Sequence, residues 1–198
     1  SNADRIVCYD QIGIFSAPRA RWLLRLFGHD AVAVLDGGLP QWRDQGRPLQ
    51  DGAPVAVAHT RYRTALRAGM LRGLGDLRDN LRTRRELVLD ARSAARFEAR
   101  VAEPRPGQRG GHVPGARNLP YTELLTAQQT LLPPAELRAR FARAGIDERS
   151  AVVTTCGSGV TAAVLNLGLE VAGLGEGALY DGSWAEWGGR DDTPVETK

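Results

Sequence analysis

Apolar residues in this chain fall in short runs broken by glycine, proline or charge, and the runs alternate between two periods. Val152-Val153-Thr154-Thr155 and Glu86-Leu87-Val88-Leu89-Asp90 are short and rich in β-branched or aliphatic residues, which predicts buried strands. Arg5–Tyr9 and Ala31–Leu35 predict two more, and Arg61–Leu66 alternates as a strand does. Helical spacing marks about Ala17–Phe27, Leu74–Arg84, Ser93–Ala99, Pro134–Ala144 and the Ala/Val/Leu-rich segment after Gly159, with a short helix expected after the DGGLPQW stretch. Pro134 near a first turn and Gly145 just past an end frame one of these helices. Glu103–Gly115 holds three prolines and four glycines, too many for either regular structure, and is expected to be a long surface loop. Strands alternating with helices predict an α/β fold, a parallel sheet flanked by helices. In such sheets the site lies beyond the carboxyl ends of the strands, so Asp90-Ala91-Arg92, Cys156 and Asp181-Gly182-Ser183 are expected to share one mouth.

The pattern repeats. A constant offset of 146 residues pairs Asp10 with Cys156 and Gly13 with Gly159; with one residue of slippage, Asp36-Gly37 pairs with Asp181-Gly182 and Trp42 with Trp187. The copies are unequal, because Asp10 has only nine residues before it, and the first three, Ser1-Asn2-Ala3, look like the remnant of a cleaved tag. The expected organisation is one complete domain over 60–198, preceded by the second half of a non-catalytic copy over 4–49, with a Gly/Pro/Ala-rich linker over 50–59. Half a sheet leaves an apolar face and a strand edge that something must cover. The half-domain is expected to lie against the complete domain, to pair with a second chain, or to stay partly disordered. The apolar residues Trp22, Leu23, Leu24, Leu26 and Phe27 favour self-association as a homodimer.

The junction after Thr155 carries the chemistry. Cys156 ends a strand, and Gly157, Ser158 and Gly159 form a tight loop before a helix. Such a loop lets backbone N–H groups converge, the helix adds the positive end of its dipole, and together they stabilise an anion and a nucleophilic cysteine. The alternative for Cys156 alone is a buried structural cysteine.

Composition narrows the function. With 198 residues, 42% of them hydrophobic, the chain can build a core, and its apolar runs are too short for a bilayer span. A net charge of +3 spread along the chain gives little support to nucleic-acid binding. Cys8 and Cys156 offer neither a disulfide framework nor a metal site, and with no secretory signal the chain is expected to be soluble and cytoplasmic, without a cofactor.

The CGSGVTA word after its strand, with DARSAARF and EPRPGQRGGHVPGARNLPY before it and YDGSWAEWG after it, resembles the catalytic domain of the two-domain rhodanese family, most of all its mercaptopyruvate-using branch. The resemblance covers roughly residues 60–190. It implies a sulfurtransferase whose Cys156 takes sulfane sulfur from 3-mercaptopyruvate as a persulfide and passes it to a thiol or cyanide. It further implies that Arg96 and Arg105 hold the substrate's carboxylate and keto oxygen, and that Gly157, Gly159, Val160 and Thr161 line the loop. Ser158 would join a proton relay with a His and an Asp from the amino-terminal domain. In the family the position of His112 is structural, and Asp90 and Arg92 are expected to pair near their strand end. Thiosulfate-specific members carry basic loop residues; Gly157, Ser158, Gly159 and Val160 are neutral, which favours a carboxylate donor. The alternatives are a thiosulfate:cyanide sulfurtransferase and a non-catalytic or sulfur-carrier module. A cysteine phosphatase needs an Arg six positions after the Cys, where this chain has Ala162.

Overall fold

The computed structural model describes residues 1–53 and 58–197. The centre of the linker expected over 50–59 lies outside the described residues. The chain begins with β1 (Ile6–Cys8), α1 (Ala17–Leu26), β2 (Val32–Val34) and α2 (Gly38–Asp44), and β1 and β2 form a two-stranded parallel sheet. After a short 3-10 turn come β3 (Leu71–Arg72), α3 (Leu74–Thr83), β4 (Leu87–Asp90), α4 (Ala94–Phe97), β5 (Arg117–Asn118) and α5 (Pro134–Arg143). The chain ends with β6 (Val152–Thr155), α6 (Ala162–Val171), β7 (Ala178–Tyr180) and α7 (Ser183–Trp187). These strands form a five-stranded sheet in the order β3-β7-β6-β4-β5, every pair parallel. The order of β6, α6, β7 and α7 repeats that of β1, α1, β2 and α2.

Side chains alternate across the sheet and feed two cores, as the period of a strand requires. Leu89, Val152 and Leu179 join Leu124, Phe141, Leu165 and Leu169 on one face. Val88, Val153 and Tyr180 join Leu77, Trp184 and Trp187 on the other. The central strands are buried on both faces, which is why their sequence reads as continuous apolar runs.

Arg61–Leu66 is not a strand. The segment is exposed, and the N–H groups of Ala65 and Arg67 donate to the carbonyls of Phe27 and Leu26. Those carbonyls end α1 and lack helical partners, so they bind a segment that has no sheet edge to join. The edge beside β7 is taken by Leu71–Arg72 instead.

The helix that was expected to drive self-association is already covered. Trp22 and Leu26 of α1 are buried in the same core as Leu165 and Leu169 of α6, and Ile14 is buried against Leu125 and Val164. Arg21 and Arg25 reach Glu170 at 2.7 and 2.6 Å, and the Leu131 N–H donates to Asp36 at 2.8 Å. The amino-terminal β–α–β–α segment thus lies against the five-stranded sheet's helices. Only Leu23 and Phe27 of the apolar set remain exposed. The opposite face of the segment stays open as a groove of about 440 Å³ whose lining includes Val7, Tyr9, Leu39 and Trp42.

Candidate active site

β4 and β6 are sheet neighbours, so Asp90 and Cys156 emerge side by side at the strand ends, with the Ala91 N–H bonded to the Thr155 carbonyl at 2.9 Å. Cys156 is only 2% exposed, and its sulfur accepts the Ser158 N–H at 3.4 Å. The loop is held from behind by the start of α7. Trp184 and Ala185 donate their N–H groups to the carbonyls of Cys156 and Gly157, each at 2.9 Å. A planar trans peptide points its C=O and N–H in opposite directions. Each carbonyl drawn toward α7 therefore turns the next N–H, of Gly157 and of Ser158, away from α7, and that of Ser158 meets the sulfur. Among the described residues the N–H groups of Gly157, Gly159, Val160 and Thr161 meet no acceptor, so they remain available to an anion.

Ser183 makes the turn between β7 and α7 possible. It is buried with φ near 50°, a left-handed conformation unusual for a residue with a side chain. Its hydroxyl accepts the Cys156 N–H at 3.3 Å and donates to the Tyr180 carbonyl at 2.9 Å. Ser183 thus braces the loop, whereas Asp181 faces Arg19. Trp184 and Trp187 pack beneath the loop, as their place in the sequence suggests, and Trp184 Nε1 donates to the Arg109 carbonyl at 2.9 Å.

A buried chain of charges sets the other wall. Asp90 binds Arg92 at 2.7 Å, Arg92 binds Glu103 at 2.8 Å, and Glu103 binds Arg96 through both of its oxygens. The Asp90, Arg92 and Glu103 side chains are at most 1% exposed, while Arg96 is 27% exposed. Two carboxylates meet two guanidiniums, so the buried charges cancel. The Arg92 guanidinium also lies 4.4 Å over the Trp184 ring, linking this chain to the floor of the loop. Glu103 occupies the Arg96 Nε and Nη2 edge and leaves Nη1 without a bond among the described residues. Arg96 lies over the Cys156 loop: a Cβ placed on Gly157 would come within 3.0 Å of Arg96 Nη2. A side chain there would have to push the Arg96 guanidinium aside.

The remaining candidates divide. Arg105 is exposed on the loop that follows α4 and makes no hydrogen bond or ion pair among the described residues, so its own contacts do not bring it to Cys156. Ser158 contributes its amide to the sulfur; its hydroxyl has no partner among the described residues. His112 is buried, stacked on Phe97 with centroids 3.6 Å apart and bonded through Nδ1 to the Phe97 carbonyl at 2.8 Å, a packing role. The Glu103–Gly115 loop is less superficial than its composition suggests, because Glu103, His112 and Val113 are turned inward. Sequence reading missed Glu103 and Arg19, and it placed Ser183 at the mouth without its hydrogen-bonding role.

The first copy solves the same loop differently. Asp10, at the position equivalent to Cys156, accepts the N–H groups of Phe15, Ser16 and Ala17 at 2.9, 2.9 and 2.7 Å and the Ser16 hydroxyl. Burial works against its charge, but the Ser16 hydroxyl and the three amides outweigh it and hold the carboxyl below its ordinary range. A built-in anion fills that cradle.

Comparison with known proteins is consistent along the chain. The model of the rhodanese-like domain matches residues 1–45 and 74–190. The 3-mercaptopyruvate sulfurtransferase of Escherichia coli strain K12 is 42% identical over 98% of this chain and 69% of its own length. The mitochondrial thiosulfate/3-mercaptopyruvate sulfurtransferase 1 of Arabidopsis thaliana is 36% identical over 99% of this chain, which spans only 57% of that relative. The crystal structure of SseA from Escherichia coli superposes with a TM-score of 0.79 at 36% identity, covering 92% of this chain and 69% of that one.

Glu103→Gln tests the charge chain. Removing one charge leaves Arg92 buried with an incomplete partner set, a loss expected to cost about 3–5 kcal/mol. Urea denaturation should show a lower midpoint at unchanged slope; a midpoint equal to that of the wild type would contradict this reading.

Proposed function

The chain belongs to the rhodanese family, and from that premise we propose that it is a sulfurtransferase in which Cys156 carries sulfur from 3-mercaptopyruvate to a thiol or to cyanide. The observation that supports this most is the Cys156 sulfur accepting the Ser158 N–H at the head of a loop whose N–H groups at Gly157, Gly159, Val160 and Thr161 meet no acceptor among the described residues, with the Arg96 guanidinium over Gly157. In the first half-reaction the Cys156 thiolate attacks the donor's sulfur and the carbon–sulfur bond breaks. The electron pair passes to the methylene carbon as the enolate of pyruvate, which takes up the proton of the donor thiol. In the second, an acceptor thiolate or cyanide attacks the outer sulfur and the Cys156 thiolate leaves. This is covalent catalysis in two halves.

Roles follow from position. The amides of Gly157, Ser158, Gly159, Val160 and Thr161 face the charge that moves onto the outer sulfur. Arg96, oriented by Glu103, offers its free edge to the donor's carboxylate and keto oxygen, a task that suits a guanidinium. Arg105 is an exposed arm that would meet the same carboxylate, and the Ser158 hydroxyl would pass a proton. The neutral loop favours a carboxylate donor over thiosulfate.

In this reading residues 60–198 form the catalytic domain and residues 4–49 the half of a copy whose Asp10 cannot carry sulfur. Self-association would use the open groove around Val7 and Trp42, since Trp22 and Leu26 are covered within the chain. Both cysteines are free, and a reducing compartment such as the cytoplasm suits a thiol acceptor. Among the described residues no helix is long and apolar enough to cross a membrane.

Incubation with 3-mercaptopyruvate followed by intact-mass analysis should add one sulfur, lost in Cys156→Ser and kept in Cys8→Ser. Burial pushes the Cys8 thiol up, which disfavours its thiolate at neutral pH. Sulfur on Cys8 would refute the assignment. A second test separates the donors: Arg96→Lys, which cannot reproduce a two-bond fork, should reduce kcat/KM for 3-mercaptopyruvate about tenfold or more and that for thiosulfate far less. An equal loss with both donors would place Arg96 outside donor recognition.

A further inference from the structure

The amino-terminal segment does more than cover α6. Arg19, on the first turns of α1, reaches across to the Cys156 loop. Its Nη2 pairs with Asp181 at 2.5 Å, its Nη1 makes a long 3.5 Å bond to the Gly159 carbonyl, and its guanidinium stacks 4.6 Å over the Trp22 ring. Only 20% of the Arg19 side chain is exposed. Gly159, with φ near 76°, sits directly beneath: an added Cβ would lie 3.1 Å from both Arg19 Nη1 and the Asp181 carbonyl oxygen. The short ion pair fixes the guanidinium, and the fixed guanidinium faces the carbonyl.

Two of the loop's carbonyls, those of Cys156 and Gly157, are turned outward by α7. The Gly159 carbonyl has a donor from a different part of the chain, and peptide planarity then turns the Val160 N–H to the side away from Arg19. We propose that Arg19 is a positioning residue of the active site, holding the Gly159–Val160 peptide so that the Val160 amide faces the charge carried at Cys156. The amino-terminal segment thereby supplies one of the outside donors that shape the loop. Arg21 and Arg25, on the same helix, bind Glu170 and Glu176, and among the described residues neither makes a hydrogen bond or ion pair to the loop. This inference rests on the sulfurtransferase reading only for its effect on turnover.

The test compares Arg19→Gln with Arg21→Gln, which removes an ion pair of the same interface away from the loop. The first readout is the ratio of Cys156 alkylation rates by iodoacetate and by iodoacetamide, which measures the loop's attraction for an anion without any sulfur chemistry. The second is the split between kcat and KM with 3-mercaptopyruvate. Arg19→Gln should lower both the ratio and kcat about tenfold, with KM changed little, because a preoriented amide acts on developing charge. Arg21→Gln should leave both near wild type. Arg19→Gln combined with Asp181→Asn removes both charges and should remain impaired; recovery there would show a bulk charge effect and overturn the proposal, as would an unchanged ratio in Arg19→Gln. If Arg19→Gln does not fold, Arg19→Lys, which keeps the charge but not the fork, is read by the same criteria. A wild-type protein without sulfur transfer refutes the sulfurtransferase reading, while the alkylation ratio still decides the role of Arg19.

Discussion

The interaction on which the site most depends is the buried relay Asp90–Arg92–Glu103–Arg96. It starts at the end of β4 and finishes over the Cys156 loop, so it converts a strand position fixed by the sheet into a guanidinium position fixed beside Gly157. Buried ion pairs add little net stability, since desolvation offsets their attraction. Their contribution here is geometric. Each guanidinium is held by two or more bonds, and Arg96 cannot drift without leaving the buried Glu103 carboxylate with Arg92 as its one remaining partner among the described residues.

Around that relay, the two copies show how one loop handles negative charge in two ways. Asp10 brings its own carboxylate, uses the amides of Phe15, Ser16 and Ala17, and has nothing left to offer. In the second copy the Cys156 loop keeps the N–H groups of Gly157, Gly159, Val160 and Thr161 without an acceptor among the described residues, and its carbonyls are held by donors outside the loop, from α7 behind and from α1 across the interface. The repeat is therefore more than shared ancestry of shape. The helix of the first β–α–β–α segment packs on α6 of the second through Trp22 and Leu26.

Much of this was legible in the chain. β4 and β6 are continuous runs because both faces are buried, and the place of Cys156 at a strand end before a glycine loop follows from the same pattern. Arg61–Leu66 misled because alternation reports a half-buried surface, whereas whether a sheet edge is free depends on distant residues. Glu103 lies in a Pro/Gly-rich loop where no period marks an inward-facing side chain. Ser183 acts through a left-handed backbone that composition does not reveal, and Arg19 meets Asp181 across 162 positions of sequence. These three roles were invisible for one reason: their partners are set by tertiary contact, and local pattern carries no record of it.

A crystal structure of the protein loaded with sulfur on Cys156 tests the account most directly. The outer sulfur should lie within hydrogen-bonding reach, about 3.5 Å, of several amides of residues 157–161, with Arg96 still paired to Glu103. An outer sulfur turned away from those amides, or a loop whose carbonyls point inward, would contradict it.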